Sequence, residues 1–200
     1  MTMPHALRLP QPDYTGSVTV EQALLARRSE RAFSQRALAL TELSQLLWAA
    51  QGVTSPRGYR TAPSAGAGYP LEIHAAVGLV AELPAGIYRY RCLDHSLLLS
   101  TSGDPRDELA RAALQQRFVA RAAVVLVIAA VYARVCAAYG RRGVRYTDME
   151  AGHAAQNVGL QAAALGLGAV MVGAFDDAEV RRTAALPPDE EPLYLIPIGR

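Results

Sequence analysis

The chain has 200 residues, 51% of them hydrophobic but only 6% aromatic, and its 20 basic and 18 acidic residues leave a formal net charge of +2. That length suits one domain whose core is built mainly from Ala, Leu and Val. The mild, scattered charge argues against a nucleic-acid partner. With every basic residue an Arg, a Schiff-base or catalytic lysine is excluded, and the distant Cys92 and Cys136 form no disulfide framework or zinc pattern.

Residues 1–18 are Pro-rich and aperiodic and read as an N-terminal arm, ahead of one domain over 19–200. The opening MTMPHALRLP has no apolar signal-peptide region, so a soluble cytoplasmic protein is expected. Thr19 is placed to cap a short helix, VEQALLARR. A second helix is predicted from an N-cap at Thr41 to Gly52, with Gly52 as a left-handed terminator. Residues 52–70 form a Gly/Pro/Ser loop. Strands follow at LEIHAAVGLV, at IYRYRCL after an LPAG turn, and at SLLLSTSG after Asp94–His95; Asp104–Pro105 opens a helix. The apolar run 122–131 is about half the ~20 residues of a membrane helix and reads as a strand covered on both faces. A long helix rich in Ala and Gly is predicted from Thr147 or Asp148 to Leu165, ending at Gly166. Strand AVMVGAF, a helix opened by Asp176 and strand PLYLIPIG complete the chain. Hairpins mixed with helices favour an α+β fold over a doubly wound parallel sheet.

The loop RTAPSAGAGYPL, residues 60–71, is the first candidate for chemistry. Ala65, Gly66, Ala67 and Gly68 put no bulk between the backbone and a large flat ligand, while Ser64 and Arg60 add a hydroxyl and a permanent cation. ARRSERAF sets Arg27, Arg28 and Arg31 around Ser29. Guanidinium groups bind phosphate through paired hydrogen bonds, although an Arg-rich helix end also suits solvent and the helix dipole. GLG at 166–168 is in itself a helix terminator. The following VGAFDD turns from strand to helix, where backbone N–H groups can face a ring nitrogen or an anion. His153 is read as a satisfied core or interface histidine, and Asp148 and Glu150 as carboxylates favoured at a helix start. His5, His74 and His95 make no metal pattern, and no metal site is expected.

RRSERAF, RTAPSAGAGYPLE, YTDMEAGHAAQNVGLQAAALGLGAVMVGAFDD and PLYLIPIG, in that order over roughly residues 20–200, resemble the FMN-dependent nitroreductase superfamily and look most like its SagB-type dehydrogenase branch. The resemblance implies a central, mainly antiparallel sheet flanked by helices, in an intertwined homodimer with FMN at the interface. Carried over to this sequence, Arg28, Ser29 and Arg31 would hold the FMN phosphate and ribityl chain. Pro63, Ser64, Ala65 and Gly66 would line the isoalloxazine, with Arg60 near its polar edge. Gly173 and Ala174 would offer N–H groups to the N5 side, and Arg200 would add a phosphate contact.

Two departures matter. The Asn frequent in the flavin loop of ordinary nitroreductases is replaced by Ala67, which supports the SagB-like branch. The Lys-Tyr pair that precedes a Gly-x-Arg segment in azoline-oxidising members is Ala138-Tyr139. The base is missing, and Tyr139 is either an acid or, as expected here, a buried structural tyrosine. The activity implied is hydride transfer through flavin N5, on a natural-product or peptide intermediate. NAD(P)H-dependent reduction of nitro or quinone compounds and a non-catalytic flavin-binding partner subunit are the alternatives. A plain anion-binding α+β domain, using Arg28 and Arg31, is the reading without the resemblance.

Overall fold

The run 122–131 does become the middle of the molecule. The structure, a computed structural model, describes residues 6–200; the first five residues of the expected arm, His5 among them, lie outside the described residues. In chain order the elements are β1 (Leu7–Arg8), α1 (Val20–Ala26), α2 (Leu40–Gln51), β2 (Leu71–Val77), β3 (Gly86–Arg91), β4 (Ser96–Ser102), α3 (Arg106–Ala112), α4 (Phe118–Arg121), β5 (Val124–Ala130), α5 (Ala133–Tyr139), α6 (Arg142–Ala164), β6 (Gly168–Ala169), α7 (Asp177–Thr183) and β7 (Glu191–Gly199). A one-turn 3-10 helix, Ala65–Ala67, interrupts the loop before β2. The strands form one antiparallel sheet in the order β1-β4-β3-β2-β5-β7-β6.

Every residue of β5 is buried, because β2 and β7 pair with its two edges and helices cover both faces. Alternate side chains on a strand point to opposite faces. Val124, Leu126, Ile128 and Ala130 accordingly join a core with Leu43, Leu46 and Leu47 of α2 and Ala151, Ala154 and Val158 of α6. Val125, Val127 and Ala129 join a second core with Leu109 of α3, Val119 of α4 and Val180 of α7. Small residues on α6 let that helix lie close to its neighbours. A Cβ on Gly159 would strike Met171 Cε and crowd the Arg27 stem.

Several boundaries differ from the sequence reading. The α2 N-cap is Ala39 rather than Thr41: the Glu42 carboxylate reaches back to accept from Ala39 N at 2.8 Å, supplying what an Ala side chain cannot. Gly52 does end α2, but in an extended conformation; glycine is needed there because the Trp48 ring fills the space of a Cβ. The long helix starts at Arg142, one turn and a half before the predicted start, and α5 precedes it across Gly140 at φ 55°. Most of the predicted strand AVMVGAF is irregular, with β6 holding only Gly168–Ala169 and a single bridge joining Val172 to Leu195. By contrast Thr19 caps α1 with a full capping box to Gln22, and Asp176 caps α7 by accepting from Glu179 N at 2.9 Å.

Within the stretch read as an arm, β1 extends the sheet edge, Leu9 is buried, Asp13 and Gln45 exchange two hydrogen bonds, and the Tyr14 and Trp48 rings lie 5.3 Å apart. Among the described residues no helix is long and apolar enough to cross a membrane.

Candidate functional site

The candidate residues fall into two groups that α6 holds apart. The first group begins where α1 ends. Arg28 is exposed, and its Nη1 donates to Leu25 O and Arg27 O, both at 2.8 Å. Ser29 is exposed and bridges to Ala169, and Glu30 N donates to Ala169 O at 3.1 Å. This short pairing pins the Arg-rich segment along the edge strand β6. Arg27, Arg28, Gly159 and Gly168 border a cavity of about 250 Å³. Arg31 is exposed with its guanidinium 5.8 Å from the Phe118 ring centre. Among the described residues no carboxylate pairs with Arg27, Arg28 or Arg31.

Gly173 and Ala174 belong with these arginines. Gln116, two residues before Phe118, donates to Ala174 O at 3.1 Å, which fixes the turn beside the Arg31 platform. Both residues are exposed, and neither N–H donates to a backbone carbonyl among the described residues. Arg200 approaches from the same side, since Ser34 N donates to its carbonyl, but its guanidinium is engaged by Glu42.

The second group lies against the N-terminal half of α6. Pro63, Ser64 and Ala65 border a cavity of about 270 Å³ with Tyr146, Met149, Glu150 and His153. Gly66 stands at φ 58°, a left-handed conformation that side chains resist, and a Cβ there would meet the Tyr139 hydroxyl. Ser64 Oγ accepts from Tyr69 N at 2.8 Å and closes the turn. Arg60 stacks on the Tyr69 ring at 4.4 Å and donates from Nη1 to Gln51 Oε1 at 2.9 Å, leaving its Nε buried without a partner.

Tyr139 is 41% exposed, so the expected buried structural tyrosine is overturned; its ring meets Tyr146 edge-on at 5.3 Å, directly over the loop. His153 is likewise exposed rather than packed in a core. Asp148 accepts from Tyr132 OH at 2.6 Å, and burial together with that bond pushes the Tyr132 hydroxyl to a higher pKa.

Glu150 is the residue that the sequence reading misplaced. Because α6 begins at Arg142, Glu150 is in the third turn and gains little from the helix dipole, which acts within the first turn. It is 2% exposed, and both carboxylate oxygens lack a hydrogen-bond partner among the described residues. Burial pushes its carboxyl above the usual carboxylate range, against the opposing pull of Ser64, Arg60 and Gln51. Helical phase held the clue. Thr147, Ala151, Ala154 and Val158 form the buried stripe, and Glu150 falls within it. Gln51, whose Nε2 is also unpartnered, sits on the same terms at the end of α2.

Within one chain the two groups do not meet. Arg27 packs at Gly159 while the loop cavity is bordered by Tyr146 to His153. Nine residues, from 150 to 159, correspond to about 14 Å along a helix.

The family model described as "Nitroreductase family" matches residues 24–200. The sequence is 49% identical to "Putative nitroreductase MJ1384" of Methanocaldococcus jannaschii over 92% of this chain and 91% of that protein. The fold is similar to the crystal structure of a putative nitroreductase from Ralstonia eutropha, with a TM-score of 0.85 at 34% identity over 98% of this chain and 89% of that one. A putative nitroreductase from Anabaena variabilis gives a TM-score of 0.80 at 32% identity, covering 90% of this chain and 38% of that one.

Proposed function

The chain belongs to the nitroreductase family, an oxidoreductase family with this α+β fold, and from that premise we propose that it is an FMN-dependent oxidoreductase whose cofactor lies between two copies of the chain. The observation that carries the reading is the pair of half-sites: one rich in free guanidinium groups, the other a slim loop, separated along α6. One elongated ligand with a phosphate at one end and a flat ring at the other would use both if a second copy brings its loop to the first copy's arginines. A two-fold axis would build two such sites at once. Exposed Leu24 and Leu25 on α1, and Val144 and Met149 on α6, supply apolar surface for that contact.

Three features support the fit to FMN. Among the described residues Arg28 and Arg31 have no carboxylate partner and keep donors for a phosphate, with Ser29 between them in the sequence. Gly66 carries no side chain, so the loop backbone lies bare beneath the Tyr139 hydroxyl. The Gly173 and Ala174 N–H groups are not consumed by the fold. In this reading Arg28, Ser29 and Arg31 hold the phosphate and ribityl chain, and Pro63, Ser64, Ala65 and Gly66 exclude water from one ring face. Arg60 orients the polar edge, and Gly173 and Ala174 donate toward the N5 side. Arg200 contributes a phosphate contact only by exchanging Glu42 for it. When bound, FMN supplies reversible two-electron hydride transfer. Tyr139, exposed above Gly66, is the side chain placed to hold a proton for a substrate on the open face.

Ala67 and Tyr139 favour the SagB-type branch, with dehydrogenation of a small or peptide intermediate as the reaction. Ala138 supplies no base, so that reaction does not follow the lysine-dependent azoline route. A second reading is reduction of nitro or quinone acceptors with NAD(P)H, and the relatives' name, nitroreductase, speaks for the nitro substrates. A flavin-binding subunit without chemistry of its own is the third.

Purified protein offered excess FMN is expected to be a yellow dimer with one flavin per chain. Colourless, monomeric material would refute the reading. Stopped-flow mixing with NAD(P)H then separates its versions: rapid bleaching favours the reductase, whereas flavin that stays oxidised until another donor arrives favours the dehydrogenase. Flavin that no donor reduces favours the non-catalytic subunit.

A further inference from the structure

Side chains from three segments leave buried polar atoms without partners, among the described residues, at one place. Gln51 Nε2 comes from the end of α2, Arg60 Nε from the loop, and both Glu150 oxygens from α6. Arg60 and Gln51 are joined by one hydrogen bond of 2.9 Å. Ser64 and Gln51 flank the Glu150 carboxyl, and Arg60 is the cation that acts on it. Gln51 and Arg60 also border a cavity of about 440 Å³ on the sheet side, while Ser64 and Glu150 border the loop cavity. This polar layer therefore underlies the loop that receives the ring in the reading above.

A carboxylate withdrawn from water costs several kcal/mol unless it is paired. Leu in its place would continue the apolar stripe of α6, so the fold itself gives no reason for an acid here. The charge has one evident counterpart, Arg60, and Arg60 borders the loop. Groups that face Glu150 from the surrounding elements are Arg60 and Ser64 of the loop, Gln51 of α2, and Tyr146 and His153 of its own helix, with Tyr139 of α5 above them.

We propose that Glu150 is a positioning residue for the flavin: buried against the loop cavity, it balances the charge of Arg60, and so sets the reduction potential of the bound ring. The inference rests on the FMN reading. With the carboxylate ionised, the Arg60 charge is offset and the reduced, more negative flavin gains little from it. Without the carboxylate, Arg60 acts alone in a region of low dielectric, and the reduced flavin is favoured.

The test is the midpoint potential of the flavin in the parent and in Glu150→Gln, measured from mildly acidic to alkaline pH, with FMN affinity and melting temperature recorded beside it. Glu150→Gln keeps the shape of the side chain and removes only its charge. It is expected to favour reduced over oxidised flavin by about tenfold, which is about 30 mV for a two-electron couple. The gap should widen as pH rises and the parent carboxyl ionises. Potentials that coincide at every pH while FMN remains bound would overturn the proposal, as would a lower melting temperature with no change in potential. Should Glu150→Gln not fold, Arg60→Gln must lower the potential, and an unchanged value there overturns it equally. If the parent binds no FMN, the flavin reading fails and takes this inference with it, an outcome distinct from coincident potentials.

Discussion

The two half-sites use opposite physical strategies. The arginine half is held by a short backbone pairing between Ser29–Glu30 and Ala169, Arg28 and Arg31 are exposed, and among the described residues no carboxylate pairs with them. The loop half is shaped by packing, with Gly66 under Tyr139 and unpartnered polar atoms buried beneath it. Free surface charge suits capture of a phosphate, because a solvated guanidinium exchanges water for a charge-assisted bond at little cost. A buried polar layer suits control of a ring, because charges shielded from water act strongly over short range. In the proposed reading, affinity and electronic tuning fall to different parts of the chain, and α6 separates them.

The strongest way to break this comparison is complementation. Chains carrying Arg28→Ala with Arg31→Ala and chains carrying Gly66→Val should each lose FMN as homodimers. Unfolding and refolding them together at equal amounts should restore about one quarter of the parental flavin capacity, since half the dimers are mixed and each mixed dimer has one intact site. No recovery in mixed dimers of verified composition would mean that each site is built within one chain.

Arg31→Ala alone sharpens the first half. Loss of a charge-assisted contact should weaken FMN binding by about 1.5–3 kcal/mol, with the melting temperature of the flavin-free protein unchanged. An equal affinity, read by flavin fluorescence quenching, would remove Arg31 from the phosphate site.

Half-buried Glu72 and buried Glu150 offer a contrast in pH. Burial raises Glu72, but Arg134, with Nη2 at 2.6 Å, and Arg89 outweigh it and hold the carboxyl below its ordinary value. A folded-state value below the unfolded one gives stability that is present above the unfolded value and lost as pH falls through the folded one. Glu150, raised by burial, has the reverse sign: it penalises the folded state as pH rises above the unfolded value. Melting curves between acid and neutral pH should therefore show Glu72→Gln losing less stability than the parent on acidification. Glu150→Gln should gain relative to the parent toward neutral pH. Parallel curves for all three proteins would contradict both assignments.

The smallest expected effect is at Thr19. Thr19→Ala removes the hydroxyl that accepts from Gln22 N and should cost about 1 kcal/mol of stability. Because α1 delivers the arginines, a slight loss of FMN affinity should accompany it, without change in the flavin potential.

Much of the fold was legible because its signals are local. The apolar run 122–131 could only be a strand covered on both faces, and Thr19 and Asp176 announce their helices by side-chain chemistry that acts within one turn. The α2 start was misread because Glu42 caps from inside the helix, and Gly52 because the reason for glycine there is the Trp48 ring rather than its dihedral. The candidate residues in the loop and around Ser29 were legible as residue types, through open backbone and guanidinium donors. Their separation was not, since no local pattern records which stretch of α6 each will meet.

By itself, then, the sequence determined the α+β class through residue chemistry and short-range periodicity, and the family through the resemblance of four ordered motifs; it also supplied the candidate groups for an anion or a flat ring. Tertiary structure alone decided that Arg200 faces Glu42, that Tyr139 is exposed over Gly66, and that Glu150 is buried beside Arg60. Contacts between residues about 70 to 160 apart in the chain are set by the sheet and helix layers as a whole, and no shorter segment contains them.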